Sequence, residues 1–142
     1  MKIRDLMTAH VIKVAPEETV EVAARTLTQH NIGILPVCDH RGKLCGLVTD
    51  RDLVTRCIAA NRLPANTPVG DVMTLQVTAA DPDMEADVVA GIMGRQQVRR
   101  LPVVENGRLC GIVSIADLAR QKQSIQTAAD ALERISGNIS AR

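Results

Sequence analysis

The chain has 142 residues and a net charge of +1, with 17 Lys and Arg against 16 Asp and Glu. It is 46% hydrophobic but contains no Phe, Tyr or Trp, so its core must be aliphatic, and the near-neutral, ring-free composition disfavours nucleic-acid binding. No apolar run is long enough to cross a membrane and the N-terminus lacks the apolar core of a signal peptide, so we expect a cytoplasmic protein that binds no membrane.

The chain contains an internal repeat. Met7-Thr8 recurs as Met73-Thr74, and Leu35-Pro36-Val37 recurs as Leu101-Pro102-Val103, both 66 residues later. Past the next turn the offset falls to 65, since Asp52-Leu53 recurs as Asp117-Leu118. A register held over this length predicts two similar units related by a pseudo-twofold axis, with paired clefts between them.

Each copy opens with a short apolar segment and a helix. The segments are Val11–Val14 and Gln76–Ala79, which we expect to be short strands. In the first copy Thr19 is a good N-cap, and in the second the helix starts at about Glu85. Two apolar stripes mark the buried faces of these helices: Val20, Ala23, Ala24 and Leu27 in the first, and Val88, Val89, Ile92 and Met93 in the second.

A hairpin and a second helix follow in each copy. The Leu-Pro-Val strands contain a proline, which indicates an edge strand or a bulge. The turns contain Asp39 to Gly42 in one copy and Asn106-Gly107 in the other, and Asn-Gly is a strong hairpin signal. The third strands end near Thr49 and Ser114, where the last helices begin. The order β-α-β-β-α, found twice, defines an α+β fold.

The remaining segments connect or extend the repeats. We place the first repeat at 1–60, a linker with two prolines at 61–68, the second repeat at 69–119 and a tail at 120–142. Helical spacing predicts that this tail is an amphipathic helix ending at Gly137. Its apolar residues are Ile125, Ala128, Ala129, Leu132 and Ile135.

The end of the third strand carries the most specific motif. Gly46-Leu-Val-Thr49-x-x-Asp52 matches Gly111-Ile-Val-Ser114-x-x-Asp117. A hydroxyl at a helix start suits a phosphate, and an aspartate one turn later suits the two hydroxyls of a ribose. The alternative is that Thr49 and Ser114 are N-caps and the aspartates are first-turn acids.

These motifs resemble the cystathionine-β-synthase (CBS) domain pair, also called a Bateman module. The resemblance rests on Asp5-Leu-Met-Thr8 and Asp71-Val-Met-Thr74, on the Leu-Pro-Val strands and on the two Gly-x-x-Thr/Ser-x-x-Asp motifs. It covers about residues 3 to 118. It implies a regulatory module that senses an adenine nucleotide (AMP, ADP, ATP or a related adenosyl compound) and usually forms a homodimer. It does not imply catalysis.

The resemblance also implies two ligand clefts, each with contributions from both copies. The first cleft takes Ser114 and Asp117, with Arg99 or Arg100 for a phosphate, and a base wall of Thr8, Val11, Ile12 and Ile32. The second takes Thr49, Asp52 and Arg51, with Thr74, Val77, Thr78 and Val98. Because the first copy has Gly33-Ile34 where the second has Arg99-Arg100, the cleft at Asp117 is the more cationic.

Two alternatives to a ligand sensor remain. The first is a structural or protein-interaction module of the same fold with empty clefts. Under any of these interpretations we expect a regulated effector to be a separate chain. The second is an enzyme, which the sequence disfavours because it shows no nucleophile-base pair and no metal-ligand cluster. The spacing of the possible ligands does not favour a zinc site; these ligands are Cys38, Cys45, Cys57, His10, His30 and His40. We expect the four cysteines to remain thiols. Cys110 is expected on a strand.

Overall fold

The structure is a computed structural model that describes residues 1–120 and 125–140, with the side chains of the last helix described from 129 to 136. Its elements in chain order are α1 (Val20–His30), β1 (Ile34–Cys38), β2 (Leu44–Thr49), α2 (Asp50–Leu53, continued by a π-helical turn Val54–Ile58), α3 (Ala86–Gln96), β3 (Arg100–Glu105), β4 (Arg108–Ser114), α4 (Ile115–Ala119) and α5 (Ile125–Ser140). Short 3₁₀ turns lie at Ile3–Asp5, Pro64–Asn66 and Val69–Asp71.

The chain forms two compact units that do not follow the two sequence repeats. Unit 1 consists of residues 1–11, 78–106 and 110–142, and unit 2 consists of 12–77 and 107–109. The opening of each repeat therefore packs with the body of the other. Ile3 is fully buried in the core of unit 1, and Val69 and Val72 are fully buried in the core of unit 2. Both cores are aliphatic, as the composition requires.

Each unit contains one two-stranded antiparallel sheet, β1-β2 or β3-β4. The β1-β2 ladder has a bulge between Val37 and Cys38, as expected for a strand containing proline. The turn between β3 and β4 has positive φ at Asn106 (55°) and Gly107 (81°), which confirms the hairpin prediction. In the other hairpin, Asp39 Oδ1 accepts hydrogen bonds from the backbone N–H groups of Arg41 (2.9 Å) and Lys43 (3.0 Å).

The prediction of strands at Val11–Val14 and Gln76–Ala79 is wrong. Only single parallel bridges form, between Val14 and Val37 and between Ala80 and Val103. In the first, Val14 N–H donates to the carbonyl of Pro36 and its carbonyl accepts from Cys38 N–H. The next bond of a parallel ladder would need an N–H on Pro36. Proline has none, so the ladder ends after one residue, and Pro102 has the same effect in the other unit.

The helices agree with the sequence at their starts and differ in detail. Thr19 caps α1 by accepting from Val22 N–H, whereas Glu85 precedes α3 without a side-chain cap. Val88 is 52% exposed and does not belong to the buried stripe. The buried residues of α3 recur at helical spacing and leave Val88 on the opposite face; they are Ala86, Val89, Ala90, Met93 and Gly94. The last helix does not end at Gly137 but continues to Ser140, since a helix tolerates an interior glycine at a cost of about 1 kcal/mol.

The C-terminal helix α5 packs against α3 and α4 in unit 1. Ala131 and Ile135 are buried and Leu132 packs against the same core, whereas Ala129 is exposed, which corrects its assignment to the apolar stripe. The side chains of Ile125 and Ala128 lie outside the described residues, as do residues 121–124 and 141–142 of the predicted tail. None of the helices in the described part of the chain is both long and apolar enough to cross a membrane.

Candidate functional site

The repeated hydroxyl and carboxylate motif forms a capping box in each unit. In unit 2, Asp52 N–H donates to Thr49 Oγ1 and Thr49 N–H donates to Asp52 Oδ2, both at 3.1 Å. In unit 1, Asp117 N–H donates to Ser114 Oγ at 3.1 Å and Ser114 N–H donates to Asp117 Oδ2 at 2.8 Å. The cap interpretation of these four residues is therefore correct as a description of the local structure.

Capping leaves part of each motif available to a ligand. Each hydroxyl accepts a bond in the box, so its own proton is still able to donate to a phosphate oxygen. Each aspartate uses Oδ2 in the box, and Oδ1 retains acceptor capacity. Both carboxylates are nonetheless largely buried, with Asp52 7% exposed and Asp117 8% exposed. A buried carboxylate needs hydrogen-bond donors for its oxygens, and the two units supply different donors.

In unit 2 the carboxylate of Asp52 is held by residues from the opening of the second repeat and from its own helix. Thr74 Oγ1 lies 3.2 Å from Asp52 Oδ2 and 3.4 Å from Oδ1, and it donates to them. Arg56 Nε lies 3.8 Å from Asp52 Oδ1. Arg56 also donates to the carbonyl of Met73 at 3.1 Å, so the same guanidinium holds the segment that carries Thr74. The predicted residues Thr49, Asp52 and Thr74 therefore lie together.

In unit 1 the partner of Asp117 is Arg120, whose guanidinium donates to Asp117 Oδ1. Sequence reasoning missed both Arg56 and Arg120, although their i,i+4 and i,i+3 spacing from the aspartates on a predicted helix was a signal for such pairs. The predicted Thr8 lies in the opening segment of this unit, outside any strand, and pairs with β4. It forms a two-hydrogen-bond bridge with Ile112, at 2.9 and 3.0 Å, two residues before Ser114.

The glycine of each motif explains why the Met-Thr segments dock where they do. A Cβ on Gly46 would lie 2.6 Å from the carbonyl oxygen of Thr74, and one on Gly111 would lie 2.5 Å from Met7 Sδ. Only glycine allows the Met-Thr backbone to approach the strand this closely. The sequence motif thus contains both the docking position for the opening segment and the capped carboxylate.

The other predicted residues are divided between the units. Unit 1 contains Val11, Thr78, Val98, Arg99 and Arg100, and unit 2 contains Ile12, Ile32, Arg51 and Val77. Ile12 and Ile32 are half-buried and pack against the core of unit 2, and Val98 packs against the core of unit 1. Arg51, Thr78, Arg99 and Arg100 are exposed.

The arginines that distinguish the two copies remain available. Neither the Arg99 nor the Arg100 guanidinium forms an ion pair with another described residue. The backbone carbonyl of Arg99 accepts a hydrogen bond from the N–H of Ile115 at 2.8 Å, and Gly33 accepts from Asp50 in the same way at 3.1 Å. The residue at this position is therefore attached to the start of the helix that carries the aspartate. In unit 1 this hydrogen bond places the backbone of Arg99 beside the first residue of α4.

The cysteines form no disulfide among the described residues, and no group of three His, Cys, Asp or Glu side chains there is close enough to hold a metal ion. Cys38 and Cys57 are buried, whereas Cys45 and Cys110 are half-buried. Burial raises the pKa of the Cys38 thiol and of the Cys110 thiol. Both thiols are therefore weaker nucleophiles at neutral pH than an exposed cysteine.

The chain belongs to the CBS domain family: the family profile matches twice, at residues 3–58 and 69–124, which confirms the resemblance. It is 39% identical over 134 residues to the CBS domain-containing protein YhcV of Bacillus subtilis, covering 94% of both chains. It is 38% identical over 117 residues to hypoxic response protein 1 of Mycobacterium tuberculosis, covering 82% of both.

Solved structures of CBS domain pairs have the same fold. The structure of hypoxic response protein 1 with two coordinated zinc ions matches with a TM-score of 0.77 and 36% identity, over 85% of this chain and 98% of that one. The CBS domain pair of protein MJ0100 in complex with 5′-methylthioadenosine and S-adenosyl-L-methionine matches with a TM-score of 0.71 and 30% identity, over 84% and 94% of the two chains. The α+β tandem repeat is thus established.

Proposed function

We propose that this protein is a regulatory module that binds an adenine nucleotide or a related adenosyl compound and acts on a separate effector protein. One observation carries the proposal: the same hydroxyl-carboxylate pair recurs at a strand-to-helix junction in both units, each with acceptor and donor capacity beyond its cap. The CBS pair of MJ0100, at 30% identity, binds two adenosyl compounds, which indicates the ligand class.

In the proposed complex the Ser114-Asp117 motif is the preferred half-site. Asp117 Oδ1, which also accepts from the exposed Arg120 guanidinium, receives the ribose hydroxyls with its remaining acceptor capacity, and Ser114 donates to a phosphate oxygen. Arg99 or Arg100 then neutralises the phosphate charge. This half-site is preferred because unit 2 has the uncharged Gly33 and Ile34 at the two equivalent positions. The adenine would contact backbone groups together with Thr8 and Val11, which belong to the same unit as Asp117.

The second candidate is a module with empty clefts. The observation that favours it is that both carboxylates already have internal partners, Thr74 and Arg56 for Asp52 and Arg120 for Asp117. These partners satisfy each buried carboxylate without a ligand. In this case the repeat motif would be retained for helix stability alone.

A thermal-shift screen separates the two candidates. AMP, ADP, ATP, 5′-methylthioadenosine and S-adenosylmethionine are each added to the purified protein over a concentration series, with guanosine nucleotides as the control. A sensor is expected to melt at a higher temperature with at least one adenine compound and to show saturation, confirmed by calorimetric titration. If no adenine compound raises the melting temperature, the empty-cleft module is the correct description. We propose a homodimer as the assembly, which is what the family resemblance implies.

A further inference from the structure

Unit 1 holds an arginine between two of its carboxylates. Arg4 Nη2 lies 2.8 Å from Glu105 Oε2 and 3.3 Å from Asp83 Oδ1. The opening segment is fixed at this point by its backbone, since Arg4 N–H donates to the carbonyl of Pro82 at 2.9 Å. Unit 1 therefore supplies its own guanidinium to this pair of acids.

Unit 2 has the equivalent pair of acids but lacks the arginine. The repeat offset of 66 places Glu17 and Asp39 at the two acidic positions and Gly70 at the position of the arginine. Gly70 N–H donates to the carbonyl of Pro16, again at 2.9 Å, so the backbone docks in the same way and only the side chain is missing. Each pair contains one aspartate and one glutamate, so both pairs offer the same carboxylate oxygens at the same combined side-chain length.

The two acids of unit 2 have no cation from within the described part of the chain. Neither Glu17 nor Asp39 forms an ion pair with another described residue. Asp39 Oδ1 accepts from the backbone N–H groups of Arg41 and Lys43, which leaves Oδ2 as an acceptor. Lys13 lies in the same region but is exposed, and it likewise forms no ion pair among the described residues. Two carboxylates without a counterion repel each other and favour a cation between them.

These acids line a cavity of about 490 Å³. Its volume lies within the range of about 300–1,000 Å³ that is typical of small-molecule pockets. Glu18 adds a third carboxylate to the wall, and Lys13 is the single ammonium, so the cavity is negatively charged at neutral pH. The cavity adjoins Cys38 at one end of β1, whereas Thr49 of the capping motif pairs with Ile34 at the other end. It is therefore separate from the proposed adenine site.

We propose that this cavity binds a guanidinium group from outside the chain, supplied by a small guanidino compound or by an arginine side chain of a partner protein. The equivalent acids of unit 1 already bind this group in the form of Arg4. A guanidinium is planar and presents several N–H donors, so it can bond to two carboxylates at once. An ammonium is a compact point charge and matches the two acids less well.

The first test is a titration of the full chain with two guanidinium compounds, agmatine and Nα-acetyl-arginine methylamide. NMR shifts of the backbone amides of Glu17 and Asp39 report binding. Because Glu17 is exposed and Asp39 is half-buried, we expect a dissociation constant on the order of a millimolar. The matched controls are cadaverine and Nα-acetyl-lysine methylamide, which should bind at least about three-fold more weakly.

The two compounds also distinguish the sources of the group. Saturation with agmatine alone identifies a small guanidino compound, whereas saturation with the arginine derivative indicates a protein side chain. No saturation with either compound, or equal affinity for the lysine analogues, would overturn the proposal.

The second test supplies the missing arginine from within unit 2. Gly70→Arg should weaken the binding of agmatine by at least about ten-fold, because a tethered guanidinium competes at a high effective concentration. The matched control is Gly70→Ala, which adds a Cβ at 3.3 Å from the carbonyl oxygen of Pro16 but no cation, and it should bind agmatine like the parent. Circular dichroism verifies that both variants fold.

A third variant tests the acids directly. Glu17→Gln keeps the size of the side chain and removes its charge, so agmatine should bind about three- to five-fold more weakly. If Gly70→Arg binds agmatine like Gly70→Ala, or if Glu17→Gln binds it like the parent, the guanidinium does not lie between these acids and the assignment is wrong.

Discussion

Replacement of Asp117 by alanine separates a structural role from a ligand-binding role. The variant loses the acceptor for the backbone N–H of Ser114, at 2.8 Å, and the pair with Arg120. Loss of a capping acceptor costs about 0.5–2 kcal/mol and loss of a favourable helix-dipole interaction about 0.3–1 kcal/mol. Because Arg120 is mostly exposed, its pair adds little to the total. The free energy of unfolding is therefore expected to fall by about 1–3 kcal/mol.

The same substitution is also expected to weaken ligand binding. If Asp117 binds the ribose, its removal should weaken an adenine ligand by about 1.5–3 kcal/mol, or roughly ten-fold to over a hundred-fold. At a ligand concentration of about 100 times the dissociation constant, binding stabilises the parent by about 2.7 kcal/mol. A hundred-fold weaker complex at the same concentration is stabilised by only about 0.4 kcal/mol. The ligand-induced stabilisation should therefore fall to about half for a ten-fold weaker complex and nearly vanish for a hundred-fold weaker one.

The matched control for this experiment is Thr19→Ala. Thr19 caps α1 by accepting from Val22 N–H at 3.2 Å, so its loss costs a similar amount of stability without touching the candidate site. Thermal melts of the parent and both variants, with and without ligand, provide the comparison. If Asp117→Ala keeps the full ligand-induced rise, or if Thr19→Ala loses it equally, the reasoning that places ribose at Asp117 is refuted.

Three further predictions concern the backbone, an acid-dependent turn and a buried thiol. Gly46→Ala should lower the free energy of unfolding by about 1–3 kcal/mol, measured by chemical denaturation, because the added Cβ would lie 2.6 Å from the carbonyl oxygen of Thr74. The control Gly33→Ala should not lower it, because the nearest atom to its Cβ would be Asp50 Oδ2 at 3.5 Å. The N–H of Lys43 and that of Arg41 hold the pKa of Asp39 below its usual value, so the stability from this carboxylate is present above about pH 4 and is lost as the pH falls through the folded-state pKa. Denaturation from neutral pH to about pH 3 should show that Asp39→Asn lacks this component, and equal slopes in both proteins would contradict it. Cys38 is buried and its pKa is raised by burial, so mass-spectrometric mapping should find it unalkylated in the native protein at neutral pH and alkylated after denaturation.

The candidate site could be predicted from the sequence in part. The motif was visible because its hydroxyl and its aspartate lie three residues apart at the start of the same helix. The capping boxes confirm this local geometry. The partners of the carboxylates were harder to predict. Thr74 is 22 residues from Asp52, and only the docking of its segment at Gly46 brings the hydroxyl to the carboxylate. The ligand roles of these residues stay predictions.

The amino-acid sequence by itself determined the tandem repeat, the aliphatic cores, the Asn106-Gly107 turn and the starts of the helices, because caps, turns and apolar spacing act between residues a few positions apart. Only the tertiary structure decided that each repeat's opening packs with the body of the other, as Ile3 does in unit 1. It also decided that Val88 is exposed and that α5 packs against α3 and α4. These outcomes depend on contacts between residues distant in the chain, whose free energies reflect the fit of whole surfaces and not a local pattern.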